Sequence, residues 1–225
     1  MHSALRACPL LLLVLSGCQA FVGQSATHAQ LTEGPESIES LLRLPSGLEA
    51  GRYVVQCEAL VDRTGRARRF TCYTAHRDQH ALARQVRLAG RRAQFVPATR
   101  DGAKAEVYML VMVQIDTTQS EPLILAVPNN GVEAGRYGLL YSAPQRFNEF
   151  TWDSRDWSGS GHVLLWQNLH IDEHGKVLEC AINNVSGAPE WLVARIKAQT
   201  KRMAFMPGYF QGKPVAMLYI EPVYD

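Results

Sequence analysis

The chain has 225 residues, 47% of them hydrophobic and 20% charged, with a formal net charge of +2. That balance suits one large globular domain or two small ones. It excludes an intrinsically disordered, collagen-like or coiled-coil chain, and so small a net charge gives no support for nucleic-acid binding.

At the N-terminus, Arg6 is a short basic flank, Pro9 to Leu15 an apolar core, and Ser16-Gly17 small residues before Cys18. A bilayer-spanning helix needs roughly 20 apolar residues, so residues 1–17 read as a signal peptide. Leu15-Ser16-Gly17-Cys18 resembles the lipobox of bacterial lipoproteins, where the cysteine is acylated and the leader cleaved before it. The plainer reading is an ordinary leader with a chance cysteine. The resemblance implies lipidation of Cys18, and Gln19 (rather than Asp) behind it implies the outer membrane, facing the periplasm. Several acyl chains make a stable anchor. Loss of residues 1–17 removes Arg6 and lowers the formal charge to +1. No later stretch is long and apolar enough for a transmembrane helix. Residues 18–45 are expected to be a lipid-anchored tether, with one helical patch at Ile38, Leu41 and Leu42 before Pro45.

Beyond the tether the sequence repeats. An ungapped offset of 110 residues aligns Gly51 with Gly161, Asp62 with Asp172, Gly65 with Gly175, Arg92 with Arg202 and Phe95 with Phe205. Pro97 and Gly102 likewise meet Pro207 and Gly212. A shared offset for all these pairs points to duplication. In the first copy, Val55, Cys57, Ala59 and Val61 alternate as on a half-buried strand. Asp62-Arg63-Thr64-Gly65 supplies turn chemistry, and a returning strand runs through Phe70 and Cys72. A helix is predicted near 79–92, with Leu82, Val86, Ala89 and Ala93 on its buried stripe. Val107 to Ile115 then reads as a largely buried strand. The second copy predicts strands at Val163–Ile171 and Lys176–Ile182. Its helix buries Trp191, Leu192, Ile196 and Met203, and its last strand runs from Pro214 to Tyr224, with Pro222 marking a sheet edge. The expected fold is α+β: two strand–strand–helix–strand units, 46–116 and 117–225, each an antiparallel sheet packed by one helix. Gly47 to Tyr53 also echoes in Gly131 to Tyr137, at an offset of 84. That predicts an aromatic insertion near 137–160, carrying Phe147, Phe150, Trp152 and Trp157 as a partner contact or as a cap on its own sheet.

The ordered set Asp62, Gly65, Arg92, Phe95, Pro97 and Gly102, repeated as Asp172, Gly175, Arg202, Phe205, Pro207 and Gly212, resembles the C-terminal domain of TonB-type energy transducers. Such transducers carry an N-terminal membrane helix and a Pro-rich spacer, and neither pattern is present in this sequence. What the resemblance implies is therefore the fold and a habit of binding an extended strand, without energy transduction.

The chemistry-bearing residues are sparse. Cys57 and Cys72 flank the first turn on opposite arms, as a cross-strand disulfide or a pair of buried thiols. Cys180 aligns with Phe70 as a small buried residue. His76/His80 and His170/His174 have a spacing of four but lack further ligands, so solvent-facing histidines are expected and no metal site or cofactor. No spacing singles out a catalytic set, and an enzyme is not expected. Residues 51–116 hold twelve Lys/Arg against six Asp/Glu, whereas 161–225 hold six against six. Arg63, Arg66, Arg68 and Arg69 on the hairpin, with Arg84, Arg87 and Arg91 on the helix, form either an anionic contact or an ordinary solvated face. The expected function is a non-catalytic lipoprotein that binds or scaffolds an envelope protein or peptide. The mechanism would be strand addition at edges near 107–115 and 215–223. The alternative is a structural lipoprotein holding peptidoglycan or lipopolysaccharide through its basic first half.

Overall fold

Folded structure begins well upstream of the first long strand. A computed structural model of the chain describes residues 25–74, 79–148, 163–184 and 187–224. Strands β1 (Ala26–Thr27) and β2 (Gln30–Leu31) precede a single helical turn, α1 (Ile38–Leu41). The Ser37 side chain caps that turn by accepting the Ser40 N–H at 3.2 Å, satisfying a donor that the helix itself leaves unpaired. Ala29, Ile38 and Leu42 are buried in the same core as the first long strands. The tether expected over 18–45 is corrected accordingly: from Ala26 onward this segment belongs to the body, because its apolar side chains find a core to enter. Cys18 lies outside the described residues.

The first copy then runs as β3 (Arg52–Val61), β4 (Ala67–Tyr73), α2 (His80–Arg92), β5 (Phe95–Val96), β6 (Ala98–Arg100), β7 (Ala103–Ala105) and β8 (Val107–Asp116). Val55, Cys57, Ala59 and Val61 are buried as their alternation requires, and they face the α2 stripe of Leu82, Val86 and Ala89. Gly90 lets α2 approach closely, since a Cβ there would overlap the Phe70 ring. Cys57 and Cys72 are cross-strand partners and form a disulfide, with Cα atoms 4.0 Å apart. Replacing both by alanine is expected to cost about 3 kcal/mol, the loop-entropy figure for a span of this length. The check is the shift of the urea midpoint, and reductant acting on the native chain should shift it similarly.

Between the copies lie β9 (Leu123–Val127), α3 (Ala134–Tyr137), β10 (Tyr141–Ser142) and β11 (Gln145–Phe147). The second copy follows as β12 (Val163–Ile171), β13 (Val177–Asn184), α4 (Glu190–Thr200), β14 (Phe205–Met206), β15 (Gly208–Phe210), β16 (Lys213–Val215) and β17 (Met217–Tyr224). The element order of the first copy thus recurs, and so does its local geometry. Gly65 and Gly175 both have φ of 80°. The N–H of Asp62 reaches the Arg66 carbonyl and that of Asp172 the Lys176 carbonyl, both at 2.9 Å. In α4, Leu192 and Ile196 are buried as expected, but Trp191 is 57% exposed, a correction to its assignment to the buried stripe.

Among the described residues all strand pairings are antiparallel, giving a mixed α+β architecture. The first sheet has the order β14-β11-β8-β3-β4, with β9 also on β8, and a second sheet has the order β13-β12-β17. The short strands correspond too. β1 and β2 pair with β6 and β5, while β10 and β11 pair with β15 and β14. Ala26 opposite Arg100 matches Tyr141 opposite Phe210, and Gln30 opposite Val96 matches Gln145 opposite Met206. Each copy therefore carries a strap laid across its short hairpin. The echo at offset 84 has no such counterpart: Gly47 to Tyr53 leads into β3, whereas Gly131 to Tyr137 is a turn and α3. Among the described residues no helix is long and apolar enough to cross a membrane.

Candidate functional site

The repeated motif residues are used for architecture. Asp62 Oδ1 accepts the Thr64 N–H, the Thr64 hydroxyl and the Arg66 N–H, and Asp172 Oδ1 accepts the N–H groups of His174 and Lys176. Phe95 and Phe205 are buried, and the Arg92 carbonyl accepts from the Arg66 guanidinium at 3.1 Å. Arg202 is exposed. Gly102 and Gly212 turn the short hairpins with φ of 78° and 73°. The Pro207 carbonyl accepts from His28 Nε2 at 2.8 Å, which fastens the first strap to the second copy; Pro97 lies between β5 and β6.

The basic residues divide into two groups. Arg66 lies 3.7 Å from Glu36, Arg68 3.2 Å from Glu106 and Arg69 3.6 Å from Glu58. Arg84, Arg87 and Arg91 stand on the exposed face of α2, and Arg63 on the turn. Phe147 is buried beneath the Arg100 guanidinium, 4.7 Å from its ring centroid, so it is not an exposed partner contact. Phe150, Trp152, Trp157 and His76 lie outside the described residues. His80, His170 and His174 are exposed, and Cys180 is a half-buried free thiol. No group of three metal-ligating side chains occurs among the described residues. A groove of about 360 Å³ runs beside Val54, Leu123 and Leu125 and holds the Arg52–Asp116 ion pair at 2.9 Å. Its lining carries no Ser, Cys or His.

The sheet edges differ from expectation. β8, expected to be an edge, is interior. β3 pairs along one side, while β11 (at Val107 and Tyr108) and β9 (at Met112 to Asp116) occupy the other. β17 is an edge, but a blunted one: the Leu218 N–H is taken by Glu133 Oε1 at 2.9 Å, and Pro222 has no N–H to offer. Among the described residues β4, β9, β13 and β14 each have a partner strand on one side only. On β9 the Ala126 N–H is taken by Glu39 Oε1 at 2.9 Å, β14 has two residues, and β4 and β13 are the corresponding long strands of the two copies. Because the Leu218 N–H points away from β12, the period of two turns the His170 N–H toward β13. The N–H groups of Cys180 and Ile182 then point outward. Both edges carry charge, Arg69 on β4 and Glu179 at the matching position of β13, and they differ at the residue before it. β4 carries Arg68, paired to Glu106; the position 110 residues on is Leu178, 54% exposed on β13. Charged side chains guard open edges against further pairing, and an exposed leucine does not.

The joint between the copies holds a buried ionic cluster that the sequence did not reveal. Glu58 (β3) and Glu221 (β17) are each 2% exposed, as is Arg146 (β11). Arg146 Nη2 lies 3.1 Å from Glu221 Oε2, which also accepts the Tyr219 hydroxyl at 3.0 Å. The Arg146 guanidinium sits 3.9 Å from the Tyr108 ring centroid. Glu58 lies close enough to Glu221 for hydrogen bonding between the two carboxyl groups. Burial, and then the Glu221 charge beside it, push the Glu58 carboxyl up to about 7 against the pull of Arg146 and Arg69. Burial opposes the charge on Arg146, but Glu221, Tyr219 and Glu58 together hold it firmly protonated. Glu58 falls on the face that alternation assigns to solvent. Arg146 falls in a segment with no periodicity, so no local signal marks either residue.

Comparison with protein-family models, curated proteins and solved structures gives no match.

Proposed function

We propose that the chain is a non-catalytic envelope lipoprotein, anchored through Cys18 in the outer membrane and facing the periplasm. In this reading it captures an extended partner strand on the open edge of β13. The support is the resemblance of both copies to TonB-type C-terminal units, together with the exposed Leu178 on an edge whose counterpart in the first copy is guarded by charge. The described residues begin at Ser25, seven residues after Cys18, a separation that no chain conformation can stretch beyond about 25 Å, so the partner would be met close to the bilayer. Main-chain pairing would supply affinity, and Leu178 a side-chain contact.

Leu178→Arg copies the guarded edge of the first copy. It is expected to change stability by less than about 0.5 kcal/mol, as a surface substitution does, and to abolish crosslinking of a partner to β13 in whole cells. In the captured complex the Cys180 and Ile182 amides should be protected from hydrogen exchange. Capture that survives the substitution, or leaves those amides unprotected, counts against strand addition.

A second reading is favoured by α2, which contains no Asp or Glu and exposes Arg84, Arg87 and Arg91. As a structural lipoprotein the protein would hold an anionic envelope surface there, and its binding to sacculi or lipopolysaccharide would fall steeply with salt.

A further inference from the structure

We propose that Glu58 and Glu221 share one proton across the joint, and that this proton governs how firmly β11 and β17 are held against the first sheet. A hydrogen bond between two carboxyl groups requires a proton on one of them. The groups facing the pair come from every neighbouring strand: Arg69 from β4, Tyr108 from β8, Arg146 from β11 and Tyr219 from β17. Arg146 is the one buried cation among them, and it is engaged with Glu221. Arg69 is half exposed, so water screens its charge. Removing the proton leaves two carboxylates facing each other in a dry site beside a single buried guanidinium, and separation of the strands relieves that. Glu221 Oε1 and Arg146 Nη1 have no hydrogen-bond partner among the described residues, so Arg146 Nη1 is the donor left over in the cluster when a second negative charge forms.

The Glu58 carboxyl moves from 4.5 to about 7 on folding, so its contribution is fully present below 4.5 and is lost as pH rises through about 7. His28 acts oppositely. Burial lowers it from 6.5 to about 4, against the Pro207 hydrogen bond that raises it. Its contribution is present above 6.5 and is lost as pH falls through about 4. Between 4.5 and 6.5 the two slopes oppose each other, so global stability is nearly flat there and conceals the switch.

The test is hydrogen exchange of the intact protein at β11 and β17 amides, compared with Glu58→Gln, which keeps a hydrogen bond to Glu221 but cannot titrate. The ratio of wild-type to variant opening constants should rise by about 100-fold from pH 4.5 to 7.5, since the midpoints of 4.5 and about 7 set the linkage and the window stops short of its full range. Amides of the disulfide-linked β3–β4 hairpin should show a smaller rise. A ratio independent of pH overturns the proposal. Carbon-13 titration of the Glu58 carboxyl in the unaltered protein decides it without any variant: a midpoint near 7 supports the shared proton, and one near 4.5 overturns it.

Discussion

Arg146→Met is expected to destabilise the protein by about 3–5 kcal/mol, the cost of removing one partner from a buried ion pair. Methionine fills much of the same volume, so the loss is electrostatic more than steric. Glu221 would keep the Tyr219 hydroxyl and the shared proton of Glu58, yet would lose its buried counter-charge. Tyr108 would lose the guanidinium stacked on its ring. Adding Glu221→Met should recover most of the loss, since an apolar pair of similar volume often matches a buried ion pair. Denaturant midpoints of the two variants check this. If Arg146→Met alone shifts stability by less than about 1 kcal/mol, the joint is not held by this cluster.

Gly65→Ala and Gly175→Ala form a matched pair, each expected to cost about 2–5 kcal/mol. A side chain at positive φ costs about 1–2 kcal/mol, and overpacking adds about 1–3. In both turns a Cβ would overlap a backbone carbonyl oxygen, that of Phe95 in one and Phe205 in the other. Backbone cannot swing aside as a side chain can. Gly102 and Gly212 provide the contrast, having positive φ but open space around the missing Cβ. Alanine there should cost only the backbone strain. Melting curves of all four variants separate the two effects. Equal costs at 65 and 102 would show that the Phe95 carbonyl yields easily.

The same glycines show why the motif is readable in the sequence. Asp62 binds its own turn, Gly65 accepts the close carbonyl, and Phe95 fills the core beside it. All three requirements act over short range, so the same residue types recur at 172, 175 and 205. The alternation of Val55, Cys57, Ala59 and Val61 is likewise a local consequence of one buried face, and it places Cys57 where Cys72 is reachable. Helix α2 is legible because an apolar stripe repeating every 3.6 residues matches a helix with one buried side and fits no strand.

Other features escape the sequence for equally physical reasons. The straps are strands of two or three residues, too short for any period to show, and Gln30 and Gln145 have no matching neighbours to betray the correspondence. The echo of Gly47 to Tyr53 misleads because composition alone carries it, with no shared contact requiring the same backbone. β8 reads as an edge because the strands that complete it, β9 and β11, arrive later in the chain. Trp191 falls on the apolar stripe, but the packing around α4 leaves it facing outward.

By itself the sequence determined the duplicated turns, the strand faces, the helices and the disulfide positions, because neighbours in the chain impose each of them. Only the tertiary structure decided which edges stay open and that Glu58, Arg146 and Glu221 meet. The cluster depends on strands more than 70 residues apart coming together, and the edges on strands that arrive later in the chain. A side chain's surroundings there are set by the partner that arrives, not by its own segment.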